Sequence, residues 1–527
     1  HEPDSGRPLD YPPHVDRCLR WAREHGAKWR NIRFYVEFPP GYVGIQVTKQ
    51  LGPNSWFIKI PNNLILYSRD CHTEELDPVF KAHPEVFGSD VYGCEESKLC
   101  AYMIRGMKLP DFKWKIFLEC KGHNENLADW KDSELIQLQD EEVYDDIKKK
   151  QYTIHEIWSL WNAALSEYPD LYEPEDISEE FFNSYWKYIE NRSFGFAWPL
   201  IALVPVAEYI NHNMCGSYYS YDGGYEELSE ARYEFFEADE DVDEMFTEED
   251  YLLPINCADI VEILKLKYAE AEELTSAALT YDEIENTFRK KKYDSLLCYE
   301  SSFEELQSNW LRVVTGVEET YEAGAQIFMS YGNKSNRQLL SVFGFALPYN
   351  KFNYARVKVY LSQLGDFGSL LRDDLDKAIK LKLRPSCVCK DLLRVIRGLL
   401  WTAGKQPFEP YDLNVEIKVC EKAASVVEAV ISGYPTSLEV DQKEVATIGL
   451  SRKYFALLYR ICVKKILHRH VLFYKLLIVI LQRLLEGRSL IEAYALVEDL
   501  ESDEDYELNR QHLDSYLGSV QGLAKPR

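Results

Sequence analysis

Strand-forming text occurs in two widely separated places in this chain, and that division constrains the fold more than any other feature. The first place holds "IRFYVEF", "GYVGIQV" and "SWFIKIP", three runs rich in β-branched and aromatic residues. Gly41 and Gly44 lie where a turn between strands is needed. The second place is "WLRVVTGVEETYEAGAQIFMSYG", starting at Trp310. Between them, from about Cys71 to Tyr188, Leu, Ala, Trp and Tyr recur every three or four residues, punctuated by Pro110, Pro169 and Pro174. That spacing reads as helix. A further short helix is expected in "PPHVDRCLRWAREHGA", ended by Gly26. Beyond Leu361 the spacing predicts helices over 373–382, 391–401, 416–431 and 453–485. The fold class is therefore α+β: a β core interrupted by a helical insert, followed by an all-α C-terminal lobe. The expected bounds are 15–70 and 191–350 for the two parts of the core, 71–190 for the insert and 351–527 for the lobe. An acidic insertion is expected over 214–310 within the second part.

The segment "LIALVPVAEYINHN" poses a separate problem. Its apolar start fits a helix or a strand, and pattern alone does not choose between them. It ends on Glu208, Asn211, His212 and Asn213, directly after buried-type residues. Each such group costs a few kcal/mol to bury without a hydrogen-bond partner. Either a tight turn satisfies them or a ligand does.

A chain of 527 residues suggests two or three domains, and 46% hydrophobic residues can fill large cores. The net charge of -27 argues against sequence-independent binding of nucleic acid or of an anionic membrane surface. It suits a basic partner, such as a lysine-bearing tail. The run "YEFFEADEDVDEMFTEEDY" reads as a solvated face. The 12 cysteines are scattered; Cys387 and Cys389 form a C-x-C with no second pair to complete a metal site. Reduced thiols of this kind point to a cytoplasmic or organellar compartment, with a removed targeting peptide left open. The most apolar run, "VLFYKLLIVILQRLL", contains Lys475, Gln482 and Arg483, so it reads as a packed helix and not a membrane span.

Four short pieces are candidates for chemistry: "GYVG" at Gly41, "NRSF" at Asn191, the Asn-His-Asn run at Asn211, and "MSYGNKSN" ending the last strand-like run. Each has a plain structural explanation by itself: a turn, a helix-end arginine, a core histidine, a half-buried tyrosine. Together, and in this order, they resemble the SET-domain methyltransferases, in the branch typified by the Rubisco large-subunit lysine methyltransferase. "NLADWKDSELIQLQD" is similar to that branch's W-x-x-x-E-L-x-x-L-Q stretch, and "SGYPTSLEVDQK" to its Y-x-T-x-x-E-x-D segment in the C-terminal lobe.

The resemblance implies a SET-domain β core, S-adenosylmethionine as cofactor, and transfer of its methyl group to a protein amine. It implies that Gly41, Tyr42, Val43, Gly44, Asn211 and His212 hold the cofactor and that Tyr331 is the catalytic tyrosine. Arg192 and Glu208 would stand near substrate, and the C-terminal lobe would bind it. The acceptor expected is lysine of a non-histone protein, with histidine as an alternative. The first turn departs from the family's E-G-x-G, because Gly41 and Tyr42 stand at the acid and the glycine; Phe343 stands where the Rubisco enzyme has tyrosine. The competing reading is a catalytically inactive SET fold serving as a subunit of a larger assembly.

Overall fold

The computed structural model describes residues 6–122, 124–197, 200–221, 310–332, 334–360, 378–385, 392–393, 396–397, 400, 410–489, 516–520 and 523. The acidic run, Cys387, Cys389 and most of the helix expected over 391–401 lie outside those residues. In chain order the strands are β1 (Arg7–Pro8), β2 (Lys28–Trp29), β3 (Ile32–Phe38), β4 (Tyr42–Val47), β5 (Trp56–Pro61), β6 (Leu66–Tyr67) and β7 (Ser193–Ala197). They continue with β8 (Leu200–Leu203), β9 (Asn211–His212), β10 (Tyr218–Tyr221), β11 (Trp310–Val314), β12 (Gln326–Met329), β13 (Ala355–Tyr360) and β14 (Ala378–Leu383). The chain forms two compact units. The first holds the described residues up to 221, 310–346 and Ile448–Ala456; the second holds those of Leu347–Thr447 and those from 457 onward.

In the first unit the two strand-forming stretches pair with each other, as an interrupted core requires. β11 lies antiparallel to β5, with Leu311 opposite Ile60, and β12 lies antiparallel to β4, with Ile327 opposite Ile45. The resulting sheets run β1-β3-β4-β12-β9 and β10-β11-β5-β2, with a small third sheet β6-β8-β7. The ambiguous "LIAL" is strand β8, paired on both sides. The β3–β4 turn closes with the Gly41 N–H donating to the Phe38 carbonyl at 2.7 Å. Gly41 has φ +135°, a conformation that side chains resist.

The helical block contains helices Cys94–Lys108, Glu141–Leu165 and Glu179–Arg192. Asp140 caps the second by accepting the Val143 N–H at 3.0 Å, and Ser178 caps the third by accepting that of Phe181 at 3.4 Å. Helix Glu141–Leu165 buries Val143, Ile147, Ile154, Trp161 and Leu165, one face at helical spacing. One apolar cluster joins this block to Phe34, Ile45 and Phe57 of the strands and to Val204, Ala207, Ile210, Ile327 and Met329. The polar run at Asn211 is thus entered and flanked by core. Each such buried side chain contributes about 1.5–3 kcal/mol, enough to fix the path of the backbone that carries the run.

The second unit is helical among its described residues except for β13 and β14, which pair antiparallel with Ala355 opposite Leu383. This overturns part of the helix expected over 373–382. "AIKLKL" alternates apolar and basic residues, Leu381 and Leu383 are buried, and a period of two belongs to a strand. The helices expected over 416–431 and 453–485 are present as Leu413–Ser432 and Arg452–Leu485. The Y-x-T-x-x-E-x-D segment holds a buried ion network. Asp441 accepts from Thr436 Oγ1 and Arg460 at 2.7 Å and from Lys464 at 2.6 Å. Burial alone would raise the Asp441 carboxyl, but those donors outweigh it and hold the group below the usual carboxylate range. Among the described residues no helix is long and apolar enough to cross a membrane, and the cysteines are free thiols.

Candidate active site

The bend that turns the apolar run into the polar one is built on Val206. The Ala207 N–H donates to the Pro205 carbonyl at 2.8 Å, and Val206 between them has φ 71° and ψ -44°. This is a γ-turn of the rare positive-φ kind, strained by roughly 1–3 kcal/mol for a β-branched residue. Burial of Val204, Val206 and Ala207 holds it in place. A single 3-10 turn, Ala207–Tyr209, follows, and then β9.

β9 runs parallel to β12, with Asn211 opposite Phe328 and His212 opposite Met329. Two segments more than a hundred residues apart in sequence thereby end side by side. Just past β12, the Tyr331 N–H donates to His212 Nδ1 at 3.0 Å, and the Tyr331 phenol donates to the Ile210 carbonyl at 2.6 Å. The phenol ring stacks on the imidazole, with centroids 5.0 Å apart. Phe343 lies 5.0 Å from the Tyr331 ring and Phe345 6.2 Å from that of His212.

The protonation of this group follows from its geometry. A backbone N–H can only donate, so His212 Nδ1 is the lone-pair nitrogen and the ring proton sits on Nε2. The Met329 carbonyl lies 3.2 Å from the same nitrogen and accepts from it once that nitrogen is protonated. Burial pushes the His212 pKa down to about 4; the Met329 carbonyl opposes the fall and the Lys334 charge adds to it. Burial pushes the Tyr331 phenol up to about 12; Glu208 adds to the rise and Arg192 opposes it. Both groups are uncharged near neutral pH.

On the other side of β9, Asn211 Nδ2 donates to the Val43 carbonyl at 2.9 Å, tying the run to β4. A Cβ at Gly44 would come within 2.3 Å of Gln326 Nε2 and 3.0 Å of Asn211 Nδ2, so a side chain there would have to displace those two amides. Gln326 Nε2 is buried without a hydrogen-bond partner, as is Asn191 Oδ1.

Helix Glu179–Arg192 delivers Arg192 at its end, directly before β7. Arg192 donates through Nε to Asn124 Oδ1 at 3.0 Å and through a terminal nitrogen to the Glu208 carbonyl at 2.7 Å. The Glu208 carboxylate is turned into the core and accepts the Tyr188 O–H at 2.7 Å. Burial raises the Glu208 pKa, while Arg192 and the Tyr188 donor pull it back. Val43, Gly44, Asn211, His212 and Tyr331 are thus brought together, with Arg192 and Glu208 behind Tyr331. Gly41 and Tyr42 lie at the start of β4, where their neighbours are Leu450 and Tyr454. Burial, with the Tyr454 hydroxyl beside it, raises the Tyr42 phenol. Sequence reasoning missed Gln326 and Phe345 as parts of the site. A glutamine opening the otherwise apolar "QIFM" was the available signal for the first.

A parallel β9–β12 crossing, with a glycine strand on one side and a tyrosine on the other, defines the class of the fold. The solved structures agree. The chain is similar to the SET domain of LSMT bound to methyl-lysine and AdoHcy, with TM-score 0.53 and 14% identity over 96% of this chain and 100% of that one. It is similar to Rubisco LSMT bound to sinefungin and monomethyllysine, with TM-score 0.53 and 14% identity over the same shares. Rubisco LSMT bound to AdoMet matches with TM-score 0.51 and 15% identity, again over 96% and 100%. No family model and no curated protein sequence matches the chain. This chain has the SET fold of the LSMT type.

Proposed function

We propose that this protein is an S-adenosylmethionine-dependent methyltransferase acting on lysine of a non-histone protein. The observation that carries the reading is the placement of Tyr331, bonded to Ile210 and His212 at the crossing of β9 and β12. Solved structures of the same fold hold AdoMet, AdoHcy or sinefungin, some of them with a lysine or methylated lysine.

The residues present fit such a cofactor. Its adenine and amino-acid ends need hydrogen-bonding groups, and the Asn211 amide, the orphaned Gln326 Nε2 and the β4 backbone converge at Gly44. When bound, S-adenosylmethionine supplies a methyl group on a sulfonium, open to displacement by an amine lone pair. The chain's own residues set the conditions for that step. His212 stays neutral, so it adds no positive charge beside a cationic ligand. Tyr331 donates its O–H to the Ile210 carbonyl, which leaves the lone pairs of the phenol oxygen to accept from an amine N–H. With a pKa of about 12 it orients the nucleophile and does not act as its base. Phe343, Phe345 and the His212 ring exclude water and favour the uncharged amine. Alignment in a dry site supplies the larger part of the acceleration.

The net charge of -27 supports a basic segment as the acceptor's surroundings. The test has two arms. S-adenosylmethionine at a hundredfold its dissociation constant should stabilise the protein by about 2.7 kcal/mol in a thermal melt. Labelled methyl groups should then appear on lysine of an acceptor protein. Label on histidine would correct the acceptor, and absence of any stabilisation would leave the inactive, assembly-forming reading.

A further inference from the structure

The loop Asn124-Glu125-Asn126 contacts Asn191, Arg192 and Gly344. Asn124 Oδ1 accepts from Arg192. The Glu125 carbonyl accepts Asn191 Nδ2 at 3.2 Å. The same carbonyl would lie 2.4 Å from a Cβ at Gly344, which has φ +75°. Gly344 joins Phe343 to Phe345, the two rings beside Tyr331 and His212, and it ends the short π-helical turn Leu339–Phe343. Asn126 is fully buried and donates to Glu190 Oε2 at 3.0 Å. This loop therefore bonds to Arg192 and packs against the glycine between the two aromatic residues.

The Glu125 carboxylate is held from outside the loop. Arg452, 327 positions later in sequence, donates to Glu125 Oε1 through Nε at 2.5 Å and through a terminal nitrogen as well. Its remaining nitrogen donates to Glu134 Oε2 at 2.6 Å. Arg452 is about one-third exposed, as are both carboxylates. An isolated ion pair this open contributes little to stability, about 0–1 kcal/mol. Two donors from one rigid guanidinium on a single oxygen, with the third nitrogen anchored on Glu134, do however hold that oxygen, and the loop that carries it, in place.

We propose that Arg452, acting through Glu125, is a positioning residue for the acceptor side of the site: it sets the Asn124–Asn126 loop, and through it Arg192 and the Phe343–Phe345 pair. This rests on the methyltransferase reading, so the test needs a readout that survives the failure of that reading. Fluorinated phenylalanine at 343 or 345 provides one. Arg452→Leu and Glu125→Gln should each shift its fluorine resonance, whereas Glu134→Gln, which removes the other partner of the same arginine, should not. In turnover, the first two variants should lose about ten- to a hundredfold in kcat or acceptor KM, with S-adenosylmethionine affinity within twofold of wild type. Glu134→Gln should keep wild-type turnover. Unmoved resonances in Arg452→Leu would overturn the proposal. So would equal effects from all three variants, which would make the contact a clamp on the helical insert. If no methyl transfer is found in any form of the protein, the resonances still decide the positioning claim.

Discussion

Acid should protonate the unfolded His212 well before the folded one. The folded ring has a pKa of about 4 against 6.5 in an unfolded chain. The unfolded state therefore binds the proton first, and stability depends on pH between those two values. Stability is complete above pH 6.5, declines as the pH falls from 6.5 towards 4, and is lost as the folded ring itself becomes protonated. At 1.36 kcal/mol per pH unit, the ring accounts for about 3 kcal/mol between pH 7 and pH 4. The cause is local: protonated Nδ1 can no longer accept the Tyr331 N–H, and the ring is buried among Tyr331, Met329 and Phe345. The comparison is between wild type and His212→Asn, whose amide oxygen can take the place of Nδ1. Both should carry His470→Gln, because burial also brings His470 to about 4. Denaturant unfolding at pH 7 and pH 4 should show the wild-type ring losing about 3 kcal/mol more than asparagine. Histidine ring resonances should place the His212 midpoint near 4. A midpoint of about 6, or the same acid dependence in both proteins, would refute the assignment of a buried, neutral, accepting Nδ1.

Three further outcomes follow from named contacts. Tyr331→Phe removes the donor to the Ile210 carbonyl and should cost about 1 kcal/mol of stability. It should lower single-turnover methyl transfer by about a hundredfold, with calorimetric cofactor affinity unchanged. Gly44→Ala places a methyl group 2.3 Å from Gln326 Nε2, so it should weaken calorimetric cofactor binding at least tenfold while circular dichroism stays native. Asp441→Ala strips the carboxylate from two buried cations, Arg460 and Lys464, and should destabilise the second unit by about 3–5 kcal/mol in denaturant melts.

The β core was legible because its strands carry their own local signal: β-branched and aromatic runs bounded by glycines. The helices 413–432 and 452–485 were legible for the corresponding reason, a long period of three to four. β14 was not read correctly because "AIKLKL" is short, lysine-rich and embedded in helix-like text; its alternation gains meaning only opposite β13. In the site, the order of motifs pointed to Tyr331, Asn211 and His212, since each lies in a compact signature. Glu125, Arg452 and Gly344 carry no such signature. Their contacts run across hundreds of residues, and a glutamate in a loop or an arginine opening a helix reads as surface until its partner is seen. Glu208 is an intermediate case: its place beside the site follows from sequence, whereas its turn inward to Tyr188 does not.

The pairing of β9 with β12 has a consequence for biosynthesis. A ribosome releases Asn211 and His212 long before it reaches Met329 and Tyr331, and the chain between them includes the acidic stretch. Until the later strand emerges, the earlier one lacks its neighbour and the imidazole lacks its donor. Lengthening the intervening segment is thermodynamically mild, about 0.6 kcal/mol for each doubling of a flexible loop. An insertion there chiefly delays the moment at which the two halves meet. A nascent or truncated product that stops before residue 326 would therefore lack the β9–β12 pair and Tyr331, whatever else of the first unit it had folded.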